Sequence, residues 1–180
     1  MDSLLPQAYL IGLIVLLAGA AVVVARQILR VRRDELALSR FDGKGGIKPS
    51  DASELYELAS VQLRKRLYGQ ALDNLKLAAK RAEADKEPAE ARALIQNALG
   101  FSLAAQSNYK SAIKHYRMAL EAKPDYPVAL NNLAFALEKQ QKLEEAQATY
   151  EKVLVLDAGN QTAKKRLKLL ERKGGFTEAA

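Results

Sequence analysis

The stretch LGFSLAAQSNYKSAIKHYRMALEAKP, Leu99 to Pro124, keeps small residues where a chain rich in Lys and Glu could easily place charges. Gly100 follows Leu99, Ala112 follows a polar loop, and Ala119 comes seven residues later. Shifted by 34, the region falls on itself: Asn97, Leu99, Phe101 and Leu103 become Asn131, Leu133, Phe135 and Leu137. Ala112 becomes Ala146, Tyr116 becomes Tyr150, Ala119 becomes Val153, and Leu133 recurs as Leu167. A fixed period near 34 in a helical pattern marks a stack of repeats.

Shifting backward takes 41 residues, which pairs Leu58 with Leu99, Ala59 with Gly100, Ala71 with Ala112, Leu75 with Tyr116 and Ala78 with Ala119. The excess of seven falls within KRAEADKEPAEAR and is close to two helical turns. Such an insertion rotates an apolar stripe by only about 20°, so helices lengthen without losing their packing face. Pro88 suits the first turn of the following helix. Each unit reads as two antiparallel helices that cannot bury their apolar faces alone. Gly100, Ala112 and Ala134 are then small because helices approach closely there, and Tyr116 and Tyr150 fill spaces between units. Asp51 followed by Glu54 reads as the start of the first helix, by analogy with a capping box.

These positions resemble the tetratricopeptide repeat (TPR) family. Leu99, Gly100, Leu103, Ala112, Tyr116, Ala119 and Pro124 meet its pattern. So do Leu133, Ala134, Leu137, Ala146, Tyr150 and Val153, with Ala158 where Pro is usual. The first unit is weaker, with Gln62 and Leu75 at the Leu/Tyr and aromatic positions. The resemblance implies an all-α helix-hairpin solenoid over 51–173. Its expected repeats are 52–85, 93–126 and 127–160, with a capping helix at 161–173 and a disordered tail at 174–180.

The beginning of the chain has a different composition. No charge occurs from Ser3 to Ala25, and ten residues between Leu10 and Val24 are Leu, Ile or Val. Ala8 to Ala25 is 18 residues, enough at about 1.5 Å per residue to approach the ~30 Å apolar core of a bilayer. A secretory signal would begin with basic residues, but here Asp2 leads and Arg26, Arg30, Arg32 and Arg33 follow. We read residues 1–33 as a retained transmembrane anchor and 34–50 as a flexible linker. The basic flank places the body of the protein on the cytoplasmic or stromal side and the N-terminus on the lumenal or outer side. It also suits anionic headgroups.

Composition excludes several classes of chemistry. With no Cys and one His, the chain has no disulfide framework, no thiol nucleophile and no His-rich metal site. GKGG in the linker lacks the spacing of a phosphate-binding loop. From Pro49 onward 21 basic and 17 acidic residues are dispersed, which does not form the basic face of a nucleic-acid binder. His115 reads as an ordinary helix residue. No enzyme, cofactor or metal is expected.

The repeat resemblance implies a groove contacting a partner protein through Tyr56, Arg64, Asn97, Phe101, Asn131, Phe135, Glu138 and Lys139. Asn offers donors and acceptors to a peptide backbone, and Phe offers an apolar seat. Family members that clamp chaperone tails use Lys, Asn and Arg where this chain has Tyr56, Ser60, Ala98, Val128 and Asn132, and none of these supplies a cation, so that ligand is not expected. One anchor followed by three TPR units resembles the photosystem I assembly and stability factors of cyanobacteria and plastids. That resemblance implies a non-enzymatic thylakoid scaffold whose partners are photosystem I subunits or assembly factors. The alternative is a membrane receptor for protein import or envelope biogenesis, which a more apolar groove would favour.

Overall fold

The computed structural model describes residues 4–42 and 51–174, and every regular element among them is an α-helix. They form two units, and the first is a single helix, α1 (Leu4–Asp42). Its Ala8–Leu36 portion is long and apolar enough to cross a membrane, and it exposes Leu, Ile and Val throughout. The helix continues to Asp42, so residues 34–42 are helical where a spacer was expected. DELALSRF contains no Gly or Pro, and its Leu, Ala, Glu and Arg favour continuing a helix already nucleated. Residues 43–50 and 175–180 lie outside the described residues, and with them the rest of the expected linker and tail.

The second unit holds α2 (Ala52–Arg64), α3 (Tyr68–Ala84), α4 (Ala89–Ala105), α5 (Tyr109–Ala122), α6 (Pro127–Lys139), α7 (Leu143–Leu156) and α8 (Gln161–Gly174). Asp51 starts the stack, its carboxylate accepting from the Glu54 amide at 2.8 Å. Helices α2 and α3, α4 and α5, and α6 and α7 pack as hairpins, and each hairpin packs on the next. The extra seven residues of the first period lie entirely in helices. Helix α3 has 17 residues against 14 in α5, and α4 has 17 against 13 in α6. Helix α4 accordingly begins at Ala89, ahead of the expected repeat start at 93.

The hairpin turns share one construction. Arg66, Ser107 and Gln141 adopt positive φ, and the following amides of Leu67, Asn108 and Lys142 reach back to the carbonyls of Gln62, Leu103 and Leu137. This is the Schellman closure, usually built on Gly. Replacing Gln141 by Gly removes the cost of a left-handed side-chain residue, so we expect stability to rise by about 0.5–1 kcal/mol in urea unfolding.

Between α4 and α5 the fold has almost no slack. A Cβ added to Gly100 would lie 2.6 Å from Cε1 of Tyr116, whose side chain is fully buried. Gly100 is thus small because the Tyr116 ring of its own hairpin occupies that space, and the same ring also joins the core shared with α6. Gly100→Ala should gain helix propensity yet lose about 1–3 kcal/mol net through overpacking. A double-mutant cycle with Tyr116→Leu should show coupling of about 0.5–3 kcal/mol, and additivity would remove this explanation.

On the α4–α5 seam, His115 Nδ1 lies 2.8 Å from Gln96 Oε1. Burial, then Lys114 and Lys76, hold its imidazole below the ordinary value. A lowered folded value means stability is full above the unfolded His pKa and is lost as pH falls through the folded one. The slope of stability against pH below about 6.5 should flatten in His115→Gln.

Candidate functional site

Helix α4 approaches both α2 and α6 directly, and no comparable approach links α3, α5 and α7. The stack therefore has an inner face built from α2, α4, α6 and α8. Residues at i, i+3 and i+7 share one side of a helix, which gives four parallel stripes. They are Ser53, Tyr56 and Ser60; Leu94, Asn97 and Phe101; Val128, Asn131 and Phe135; and Thr162, Lys165 and Leu169.

At the α2 end, Tyr56 is half-buried beside Ser53, Ala91, Leu94 and Ile95 around a hollow of about 300 Å³. Asn97 donates to the Tyr126 hydroxyl at 3.4 Å and accepts from the Asn132 amide at 3.0 Å. Burial raises the Tyr126 phenol above its ordinary value, nearby Tyr56 adds to this, and the Asn97 hydrogen bond opposes it. One repeat on, Asn131 donates to Asn160 Oδ1 at 3.2 Å, and that oxygen also accepts from the Ala163 amide at the start of α8. Tyr126 and Asn160 are equivalent residues, each immediately preceding the next inner helix. The two Asn residues thus tie successive units together while facing the groove. The buried Oδ1 of Asn131 has no hydrogen-bond partner among the described residues.

The two Phe residues diverge. Phe101 is 43 % exposed. Phe135 is half-buried, with the Tyr109 ring edge-on at 6.4 Å, Lys139 Nζ at 5.4 Å and the Arg166 guanidinium carbon at 4.9 Å from its centroid. The residues corresponding to those three around Phe101 are Tyr68, Ala105 and Asn132, and none is a cation. Glu138 accepts from Arg166 at 3.4 Å and from the Tyr150 hydroxyl at 3.5 Å, so it braces α8 against α6 and α7. Lys139 and Lys165 are exposed, and Arg64 is exposed in the last turn of α2. Arg26, Arg30, Arg32 and Arg33 are exposed on α1.

Sequence reasoning passed over Leu94 and Val128 as apolar seats, although both are exposed and stand one repeat apart. Their signal was available: both are aliphatic and stand three residues before the paired Asn97 and Asn131. Leu169 is likewise exposed on α8. The role of Arg166 could not be read without knowing that α8 folds back on Phe135. The assembled face is apolar at Leu94, Phe101 and Val128, amide-lined at Asn97 and Asn131, and cationic towards α8. It suits a polypeptide with apolar and acidic side chains. Among the described residues no group of His, Asp or Glu is arranged to hold a metal ion.

A tetratricopeptide repeat model matches residues 103–168. The protein ycf37 of Guillardia theta is 33 % identical over 94 % of this chain and 94 % of its own length. The chloroplastic tetratricopeptide repeat domain-containing protein PYG7 of Arabidopsis thaliana is 36 % identical over 88 % of this chain. The chain spans about half, 52 %, of that relative. Among solved structures, the first TPR domain of Spaghetti (RPAP3), bound to an HSP90 peptide, superposes with a TM-score of 0.64 at 21 % identity. That match covers 69 % of this chain and 94 % of the other, and shows a shared fold.

Removing Asn97 tests the inner-face network. In Asn97→Ala the Tyr126 phenol should titrate higher than in wild type, because the opposing hydrogen bond is gone. Ultraviolet pH titration against a Tyr126→Phe blank measures this. Stability should fall by about 1 kcal/mol as Asn132 loses its acceptor.

Proposed function

Because the chain belongs to the tetratricopeptide repeat proteins related to plastid ycf37, we propose that it is a membrane-tethered scaffold assisting photosystem I assembly or stability at the thylakoid. In this reading α1 anchors the protein, and the repeats hold a segment of a photosystem I subunit or assembly factor on the cytoplasmic or stromal side. The carrying observation is the inner face itself, where exposed Leu94, Phe101 and Val128 lie between amides used by the stack and the cations near α8. Three features support the wider reading: plastid relatives, the apolar Ala8–Leu36 helix, and the resemblance of anchor plus three repeats to photosystem I assembly factors. Leu94, Phe101 and Val128 are already about half covered, so burying the rest against a partner is worth roughly 0.7–1.5 kcal/mol each. An extended acidic side chain would meet Lys139 or Lys165.

A second reading, a receptor for imported or envelope-bound segments, draws on the same exposed aliphatic residues, since amphipathic targeting helices need an apolar seat.

The test is purification of the tagged full chain from native membranes in mild detergent, with mass spectrometry of what accompanies it. The comparison is a variant carrying Leu94→Ser, Phe101→Ala and Val128→Ser, all at exposed positions and checked for helicity. Photosystem I subunits present with wild type and lost with the variant are expected. Translocation substrates in their place would establish the receptor reading, and subunits persisting with the variant would remove the inner face from binding. In the same membranes, alkaline carbonate should leave the chain in the pellet, whereas deletion of residues 8–25 should release it.

A further inference from the structure

The outer side of the stack carries a second surface, which does not depend on the inner-face reading. Helices α5 and α7 stand apart, with α6 as the floor between them, and enclose a cleft of about 410 Å³. Its walls and floor are Leu120, Leu130, Leu133, Val155 and Leu156. Val155 is 84 % exposed and Leu156 is also exposed, on a helix whose other outward positions are mostly charged. One end is tied shut by Arg117 and Glu145, paired at 2.9 Å across α5 and α7, with Lys142 joining Glu145 at 2.8 Å.

The preceding repeat makes the same cleft between α3, α4 and α5, and there it is about 240 Å³ and polar. Where the larger cleft has Leu120, Leu130, Val155 and Leu156, the smaller has Ala79, Gln96, Glu121 and Ala122. The fold therefore requires the crevice but not its apolar lining, and one repeat alone has acquired it.

We propose that the α5–α6–α7 cleft docks an amphipathic helix of a partner protein, with an apolar ridge bordered by a basic residue. An extended strand laid over this lining would leave most of its backbone N–H and C=O groups unpaired, since five of the nine lining residues are Leu or Val and the described residues contain no sheet edge. A helix satisfies its own backbone and presents only side chains. The charge comes from the open end. Asp125 lines it with no partner among the described residues, and the C-termini of α5 and α7, at Ala122 and Leu156, add the negative ends of two helix dipoles. Lys152 on the opposite wall disfavours a second basic flank. The cavity holds a few aliphatic side chains rather than a whole helix, so the partner lies across the mouth and inserts its ridge.

The chain has no Cys, which permits a single reporter. The full chain in zwitterionic nanodiscs carries Thr149→Cys labelled with an environment-sensitive dye. It is titrated with two synthetic helices sharing a Leu ridge, one flanked by Lys and one by Glu. A saturable blue shift favouring the Lys-flanked helix is expected. It should weaken about tenfold in Val155→Ser, which removes an apolar contact at an exposed site without adding charge, and the preference for Lys should disappear in Asp125→Lys. The same dye at Met118→Cys, in the neighbouring polar cleft, should not respond. No saturable shift, an equal response at Met118→Cys, or a response of unchanged affinity in Val155→Ser overturns the proposal. A shift that grows with protein concentration in the absence of peptide places a second copy in the cleft and also overturns it.

Discussion

The space that Gly100 leaves for the Tyr116 ring is the constraint on which the central hairpin depends. With 2.6 Å between a hypothetical Cβ and the ring, no other residue fits unless the buried Tyr116 ring shifts. Tyr116 belongs to the cluster that includes Leu130, Leu133 and Ala134, so the separation of α4 and α5 also positions the next unit. Fully buried Ala residues at 59, 71, 112, 134 and 146 occupy the other packed positions of the stack. Close approach of the inner helices then obliges α3, α5 and α7 to diverge, which creates both faces.

Polar side chains complete what apolar packing starts. Ser102 is buried and donates to the Tyr68 carbonyl at 2.8 Å, linking the second hairpin to the first. Asn97 and Asn131 reach forward to the residues preceding α6 and α8. These ties fix the angle between units, because a hydrogen bond is directional where apolar contact is not. A face so braced is preorganised for a partner, and less ordering cost opposes binding.

The same repeat geometry yields surfaces of different character. Inner positions combine amides, exposed apolar side chains and cations. The outer crevice is polar in one repeat and apolar in the next, although the helices around it are equivalent. Divergence between repeats is where a solenoid departs from its repeating core, since those positions are released from packing and are free to serve recognition.

The period of 34, the offset of 41, and the small and aromatic positions made the all-helical repeat fold legible in the sequence. Helix periodicity and close approach restrict residue type at each core position, so the pattern survives as text. The apolar run before Arg26 was legible for the same reason. The continuation of α1 through residue 42 was less so, since helix ends depend on weak local preferences. Phe101 and Phe135 look identical along the chain, yet Tyr109, Lys139 and Arg166 cover one and not the other. Asn97 and Asn131 read as partner contacts, and the fold shows them holding the stack. The sequence by itself determined the repeat, its register and the apolar N-terminal helix. Only the tertiary structure decided which equivalent residues are covered, tied or exposed, because those outcomes depend on neighbours distant in the chain, such as Tyr109 and Arg166 around Phe135 and Tyr126 beside Asn97.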